Sequence, residues 1–269
     1  MLRNKVIKFF RFWIIIIITP VILLTGCPSP KPIQQTKIPP PAVESPRQMK
    51  ITIGSIDLSN HQKKIELKDI KKFARQVKKD SLDILTIQGM TRYPALKNRI
   101  DIFKEITTST EMISVFGETM TLSGRQNGNA IFSNYPIKSH ESTPYTQISS
   151  TGFENALQAI IDCGERELVI VSTKLPEKLT SNDRAVISST LGKFSIFYTN
   201  RPVIITGNLL KINTTSLLNT YHTIEEEKYP QKFWYSNNGS LRINNLKIAS
   251  TSLGKMIQVS FMVSTDINP

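Results

Sequence analysis

The stretch VIITGNLL, residues 203–210, climbs through β-branched residues to a Gly, the usual punctuation at a strand end. Enzymes often place a carboxylate at such a tip; this chain offers Asn208 and Leu210. Charged side chains do close other apolar runs: Asp57 after MKITIGSI, Lys174 after ELVIVST, and Asp266 three residues from the C-terminus. Two carboxylates and an ammonium can hold a phosphate-bearing ligand weakly, or stand as solvated charges. The chain has three histidines, His61, His140 and His222. His222 precedes Glu225, Glu226 and Glu227, a pattern open to a rebuilt base or metal site and equally to a loop histidine beside an acidic helix start. KFWYSNNGS (232–240) gathers Phe233, Trp234 and Tyr235, either a platform for stacking bases or sugars or a packed aromatic cluster beside a turn. Cys163 sits in DCGE, a hairpin-like tetrapeptide with nothing nearby to activate a thiol, and reads as inert.

Alternating strand and helix patterns must position these groups. MKITIGSIDL (49–58) reads as a strand and its exit turn. IELKDIKKFARQVKK spaces Ile70, Phe73, Ala74 and Val77 on one helical face, with lysines on the solvated remainder. LDILTI (82–87) suits a buried strand, and LKNRIDIFKEI spaces Leu96, Ile100, Phe103 and Ile106 as a second helix. NAIFSNYPI, ALQAIIDC, ELVIVSTKL, a helix near 182–198, PVIITG, LRINNLKIAS and IQVSFMVSTD complete the order. Several neighbours look hairpin-linked, so two packed sheets with helices outside fit better than one open parallel sheet.

Before this domain come two segments of different chemistry. Arg3, Lys5, Lys8 and Arg11 form a positive n-region, and FWIIIIITPVILL supplies an apolar run of 13 residues, shorter than the roughly 20 that span a bilayer. The run closes on LTGC, residues 24–27, which resembles the lipobox of bacterial lipoproteins. The resemblance implies cleavage after Gly26, lipid on Cys27, and residence in the bacterial cell envelope with the membrane as a partner. With Cys27 lipidated, Cys163 has no partner for an intrachain disulfide. Residues 27–47, rich in proline, read as an extended tether, leaving 48–269 as the domain. The formal charge of +13 falls to +9 once the four basic residues of the n-region are removed. That excess suits an anionic ligand, lipid head groups or an envelope protein, and leaves nucleic acid open, although no base-reading motif accompanies it.

Six fragments in order resemble the endonuclease/exonuclease/phosphatase family, whose fold is DNase I-like. NGNAIFSNYPI (127–137) looks like that family's "G-N-A-I-L-S-R-Y-P-I" hairpin; LDILTIQGM matches "p-D-I-l-a-l-Q-E-v"; VSTKL stands where some members have "n-T-H-L". VIITGNLL fills "v-I-l-t-G-D-f-N", RINNLKIAS resembles "r-I-D-y-I-l-v-s", and TDINP resembles "S-D-H-l-P". The implied fold is α+β, a four-layer α/β-sandwich of two packed mixed β-sheets with helices outside. Members hydrolyse phosphate esters with a divalent cation, usually Mg²⁺, and use an Asp–His pair as general base.

Carried over position by position, the resemblance implies a degenerate site. The metal-binding Glu falls on Gly89, a histidine on Lys174, the Asp and Asn of "G-D-f-N" on Asn208 and Leu210, and a later Asp on Asn244. The base histidine falls on Ile267, leaving Asp266 without its partner, and Asp57 replaces the first-strand Asn. Glu to Gly, two Asp to Asn and His to Lys each add a positive charge, while Asn to Asp removes one. The pocket is then about +3 more positive than the family pattern, a poor field for Mg²⁺, which favours carboxylates. No cofactor and no catalytic residue are expected, and the domain reads as a pseudoenzyme that binds or assembles. The alternative is a surface nuclease or phosphodiesterase with an aberrant, Mg²⁺-dependent site.

Overall fold

Alternation along ITIGSI builds a strand with two buried faces: Ile51 and Ile53 join one apolar layer and Ile56 another. The computed structural model describes residues 47–59, 65–94, 99–145, 154–176, 178–209, 212, 220–224, 231–238 and 240–265, all within the body Ser45–Pro269. Cys27, the leader and nearly all of the tether lie outside these residues, as do His61, Leu96, Leu210, Glu225, Glu226, Glu227, Asp266 and Ile267. Among the described residues no helix is long and apolar enough to cross a membrane.

In chain order the elements are β1 (Gln48–Asp57), α1 (Leu67–Lys79), β2 (Ile84–Arg92), α2 (Ile102–Thr110), β3 (Ile113–Leu122), β4 (Arg125–Ser133), β5 (Ile137–Pro144) and β6 (Asn155–Asp162). They continue with β7 (Glu167–Thr173), α3 (Ser181–Phe197), β8 (Val203–Asn208), β9 (Tyr221–Ile224), β10 (Gln231–Ser236), β11 (Leu241–Thr251) and β12 (Gly254–Ser264). Two mixed six-stranded sheets result, ordered β11-β12-β1-β2-β4-β3 and β5-β6-β7-β8-β10-β9. Within each sheet one pair is parallel, β1 with β2 and β7 with β8. A parallel pair needs a crossover, and α1 and α3 supply it.

Three apolar layers hold the four structural layers together. Between the sheets pack Ile53, Ile84, Ile131, Ile170, Ile204 and Phe261, among others. Outside the first sheet, Ile70, Phe73 and Val77 of α1 cover Leu85, Ala130 and Phe132, with Ile106 of α2 beside them. Outside the second, Ile187, Leu191 and Phe194 of α3 cover Val171, Val203 and Ile205. The four-layer α+β sandwich expected from the sequence is therefore the fold.

Two local expectations change. The second helix begins only after Asp101, because the Asp101 carboxylate accepts the Lys104 N–H at 3.2 Å and caps it there. NAIFSNYPI is not a hairpin: β4 lies in the first sheet and β5 in the second. Asn134 pins the crossing, its N–H donating to Asp83 O and its side-chain amide to Leu82 O, both at 2.9 Å.

The same corner holds a strained charge. Burial pushes the Asp83 carboxyl above its usual range, opposed by the Thr52 N–H that it accepts at 2.7 Å and by the Lys50 charge. The folded chain thus holds this proton more tightly than the unfolded chain, so ionised Asp83 costs stability at neutral pH and that cost fades as pH falls. Asp83→Asn keeps an acceptor for Thr52 without the charge. We predict a higher urea midpoint at pH 7 and no gain near pH 4; an equal gain at both would contradict this.

Candidate functional site

The inward faces of the four strands in the two parallel pairs change character along their length. Each reads apolar, then hydroxyl, then polar at alternate positions: Ile53-Ser55-Asp57, Ile84-Thr86-Gln88, Ile170-Ser172-Lys174 and Ile204-Thr206-Asn208. Period-two geometry keeps each trio on one face. The space between the sheets is consequently greasy at one end and polar at the other, where the parallel strands finish.

Gln88 joins the sheets at that polar end. Fully buried, it donates to Ser172 Oγ of the opposite sheet at 3.0 Å and accepts from Ser55 Oγ at 3.3 Å. Thr206 Oγ1 reaches across to Thr86 Oγ1 at 2.8 Å. Gln231, at the start of β10 and opposite Asn208, comes within 3.1 Å of Gln88 Oε1. Turned to match its neighbours, its amide donates to the Ser55 carbonyl at 3.0 Å and accepts the Asp57 N–H. A second buried amide pair flanks it, Asn129 Nδ2 donating to Asn155 Oδ1 at 2.7 Å. The buried Tyr145 hydroxyl meets Thr173 Oγ1, and burial holds its phenol well above the usual range. Every side chain in this joint is uncharged.

The expected first-strand and second-strand groups meet here, but in a closed arrangement. Asp57 Oδ1 accepts the Ser59 N–H at 2.8 Å and also the Ser59 hydroxyl. Ser59 thereby folds over Gly89, whose φ is +60°. A Cβ at position 89 would run into Ser59 Oγ and lie 2.9 Å from Ser59 Cβ. Gly89 sits in a bulge of β2, where the register with β4 shifts between Ile87 and Met90. Lys174 and Asn208, both half-buried, end β7 and β8 on the same side. The residues present do not fit a divalent cation: position 89 has no side chain, one Asp57 oxygen is engaged, and Lys174 adds like charge. Among the described residues no three His, Cys, Asp or Glu side chains gather as metal ligands.

Topology sets Asn244 apart from these residues. Asn244 lies exposed on the edge strand β11, at its bulge between Ile243 and Asn245. The neighbouring strand aligns that bulge with Ile51 and Thr52 of β1, at least five residues, or roughly 16 Å, from Asp57. Asp266 and Ile267 lie outside the described residues; the strand leading to them ends with Ser264 opposite Gln48, at the far end of β1 from Asp57. The final hairpin instead returns to the Asp57 end through Thr251, Ser252, Leu253 and Gly254, which carry neither carboxylate nor imidazole. Gln231 was missed, although its place just before KFWYS fixes it at a strand start facing Asn208.

The remaining chemistry-bearing side chains stand apart from this end. His140 is exposed on β5, and His222 is exposed on β9 with its ring 5.1 Å from that of Tyr235. Phe233 and Trp234 are fully buried core residues, so the aromatic trio offers no open stacking platform. Cys163 is buried and free, its thiol pushed up to about 12 by burial.

Gly89→Glu tests the closure directly. Positive φ and the collision with Ser59 predict a loss of about 2–4 kcal/mol in urea unfolding, with no gain in Mg²⁺ affinity. A variant of unchanged stability that binds Mg²⁺ would show the position to be open.

No family model matches the sequence, and no curated protein matches it at a significant level. Solved structures do resemble the fold. An endonuclease/exonuclease/phosphatase family protein from Bacteroides thetaiotaomicron aligns with TM-score 0.61 at 10% identity, covering 81% of this chain and 99% of that one. D. rerio TDP2, in complex with a single-strand DNA product, aligns with TM-score 0.60 at 10% identity, covering 79% and 98%. The family protein from Leptotrichia buccalis gives 0.57 at 12%, covering 78% and 98%. Likenesses this distant in sequence carry the architecture alone: the domain has the two-sheet, DNase I-like fold of endonuclease/exonuclease/phosphatase proteins.

Proposed function

We propose that this chain is a lipid-anchored protein of the bacterial cell envelope whose DNase I-like domain binds or assembles with a partner and does not hydrolyse phosphate esters. The observation that carries the second half is the closure at Gly89: the place for a metal-gripping carboxylate is filled by Ser59, itself held by Asp57. Support comes also from the neutral joint behind it, where Gln88 and Gln231 meet. General-base catalysis contributes on the order of 10²–10⁴ in rate and needs a group able to take a proton from water. Within the described residues at this end, the acids include Asp57, whose carboxylate is engaged by Ser59, and Glu154, which lines the cavity beside Gly89 with one oxygen buried and no imidazole among the lining residues. The anchor rests on the n-region, the apolar run and LTGC, with Cys27 as the lipidated residue. The tether then holds a basic domain near an anionic surface, which suits an anionic ligand or an envelope partner.

Hydrolysis of DNA, RNA and bis-p-nitrophenyl phosphate, each with Mg²⁺ or Mn²⁺, tests the reading. We predict rates equal to those of Asp57→Ala, at the level of the buffer. Turnover that Asp57→Ala abolishes would establish the aberrant nuclease or phosphodiesterase in its place.

A further inference from the structure

The core-facing stripe of α3 is complete without its last residues. Ile187, Leu191 and Phe194 repeat at i, i+4 and i+7 and bury against β7 and β8. Ile196 and Phe197 fall off that stripe and stand in the open, 69% and 73% exposed, more than any other large apolar side chain among the described residues. Single exposed hydrophobic residues are ordinary on a surface, whereas two adjoining ones at a helix end form a patch. Lys193 lies one turn earlier on the same side. The half-buried Tyr198 and Arg201 follow, the guanidinium 5.9 Å from the centre of the Tyr198 ring. An apolar tip flanked by an ammonium, a phenol and a guanidinium has the composition of an interfacial anchor, whose long polar side chains keep their heads in the head-group layer.

The patch stands at the end where the chain enters the domain. The carbonyl of Arg47, the first residue described, accepts the Thr265 N–H at 3.0 Å and the Thr265 hydroxyl at 2.9 Å. Arg166 Nη1 donates to the neighbouring Ser264 carbonyl at 2.6 Å, and Arg166 shares one concavity with Phe197, Tyr198 and Arg201. Charge in that concavity balances, three basic side chains against three acidic ones. Lys138 pairs there with Asp162 at 3.0 Å and Glu167 at 2.7 Å, and Arg201 pairs with Glu167 at 2.5 Å. The attraction this end offers a partner is therefore apolar.

We propose that Ile196 and Phe197 dock the domain on the bilayer that holds the Cys27 lipid, burying the end of α3 at the head-group boundary. The proposal rests on the lipid-anchor reading above and names the face that meets the membrane. Twenty residues separate Cys27 from Arg47, at most about 70 Å of extended chain. A tether of that reach keeps the patch at an effective concentration on the order of millimolar, so two side chains suffice where they would not hold a free protein. Entry beside the patch lets it settle with the tether unstretched. Two side chains are also few against the roughly 800 Å² per partner of a stable protein interface, which disfavours a second copy as the occupant. β1 runs from this entry to Asp57 over 10 residues, about 33 Å. Docking therefore turns the Asp57 end away from the membrane.

Bromolipid quenching of the whole lipidated protein in phosphatidylcholine vesicles, with flotation as the measure of attachment, tests this. Cleavage after Gly26 removes Trp13, and Trp234 is fully buried, so an introduced indole reports its own depth. We predict at least twofold quenching in Phe197→Trp by lipids brominated on the acyl chain. Leu122→Trp, exposed at the opposite end of the domain, should show none, and adding Ile196→Asp to Phe197→Trp should return it to that level. Equal quenching at both positions, or none at either in protein that floats with the vesicles, overturns the docking and leaves the anchor standing. A blue shift of the indole at position 197 without quenching, growing with the protein-to-lipid ratio, puts a second copy on the patch and also overturns it. Protein that fails to float overturns the anchor and the docking together.

Discussion

A fully buried glutamine amide lies where the two sheets of this protein meet at their polar end, and its hydrogen bonds decide what that end can do. Gln88 bonds Ser55 in its own sheet and Ser172 in the other, while Gln231 reaches across from its sheet to the Ser55 carbonyl and the Asp57 N–H. Each such bond adds about 1 kcal/mol net, but an abandoned partner in this dry interior costs about 1–3 kcal/mol. The joint is therefore all-or-nothing: its amides and hydroxyls satisfy one another, and inserting a charge would strand several of them. Thr86 and Thr206 close the same contact from both sides at 2.8 Å.

That constraint acts at the strand tips and leaves untouched the architecture this domain shares with endonuclease/exonuclease/phosphatase structures. The aliphatic half of each strand keeps the sheets packed regardless of what stands at the tips, since burial depends on volume and pattern. The tips answer to other demands. Here Ser59 latches over Gly89, Lys174 and Arg125 line a cavity beside it, and a neutral seam of amides and hydroxyls lies behind. A seam of this kind stabilises the sandwich whatever the adjacent cavity holds.

Much of this was legible in the residues. The helix face of Ile70, Phe73, Ala74 and Val77 and the strands around them were readable because burial imposes a strict period. Strand periodicity likewise brings Asp57, Lys174 and Asn208 to one end of the sheets, with Gly89 in a bulge of β2 beside them. Past residue 215 periodicity alone does not place the strands. Both LRINN and KFWYS look like strands, and only pairing shows which one abuts β8; it is β10, so Gln231 belongs to the site and Asn244 does not. Likewise, a motif-like tail after the last strand gave no sign that the strand runs away from Asp57. The fourfold pattern of isoleucine, hydroxyl and polar tip was present in the sequence, but its meaning depends on the sheets facing each other.

Strand tips closed by Ser59 over Gly89, with Lys174 beside them, should hold no divalent ion, and electron paramagnetic resonance of Mn²⁺ measures that property directly. Titrated with the intact protein, Mn²⁺ should keep the six-line spectrum of the free aquo ion at full intensity, in the native chain and in Asp57→Ala alike. A loss of that signal at one ion per chain, restored by Asp57→Ala, would contradict the account.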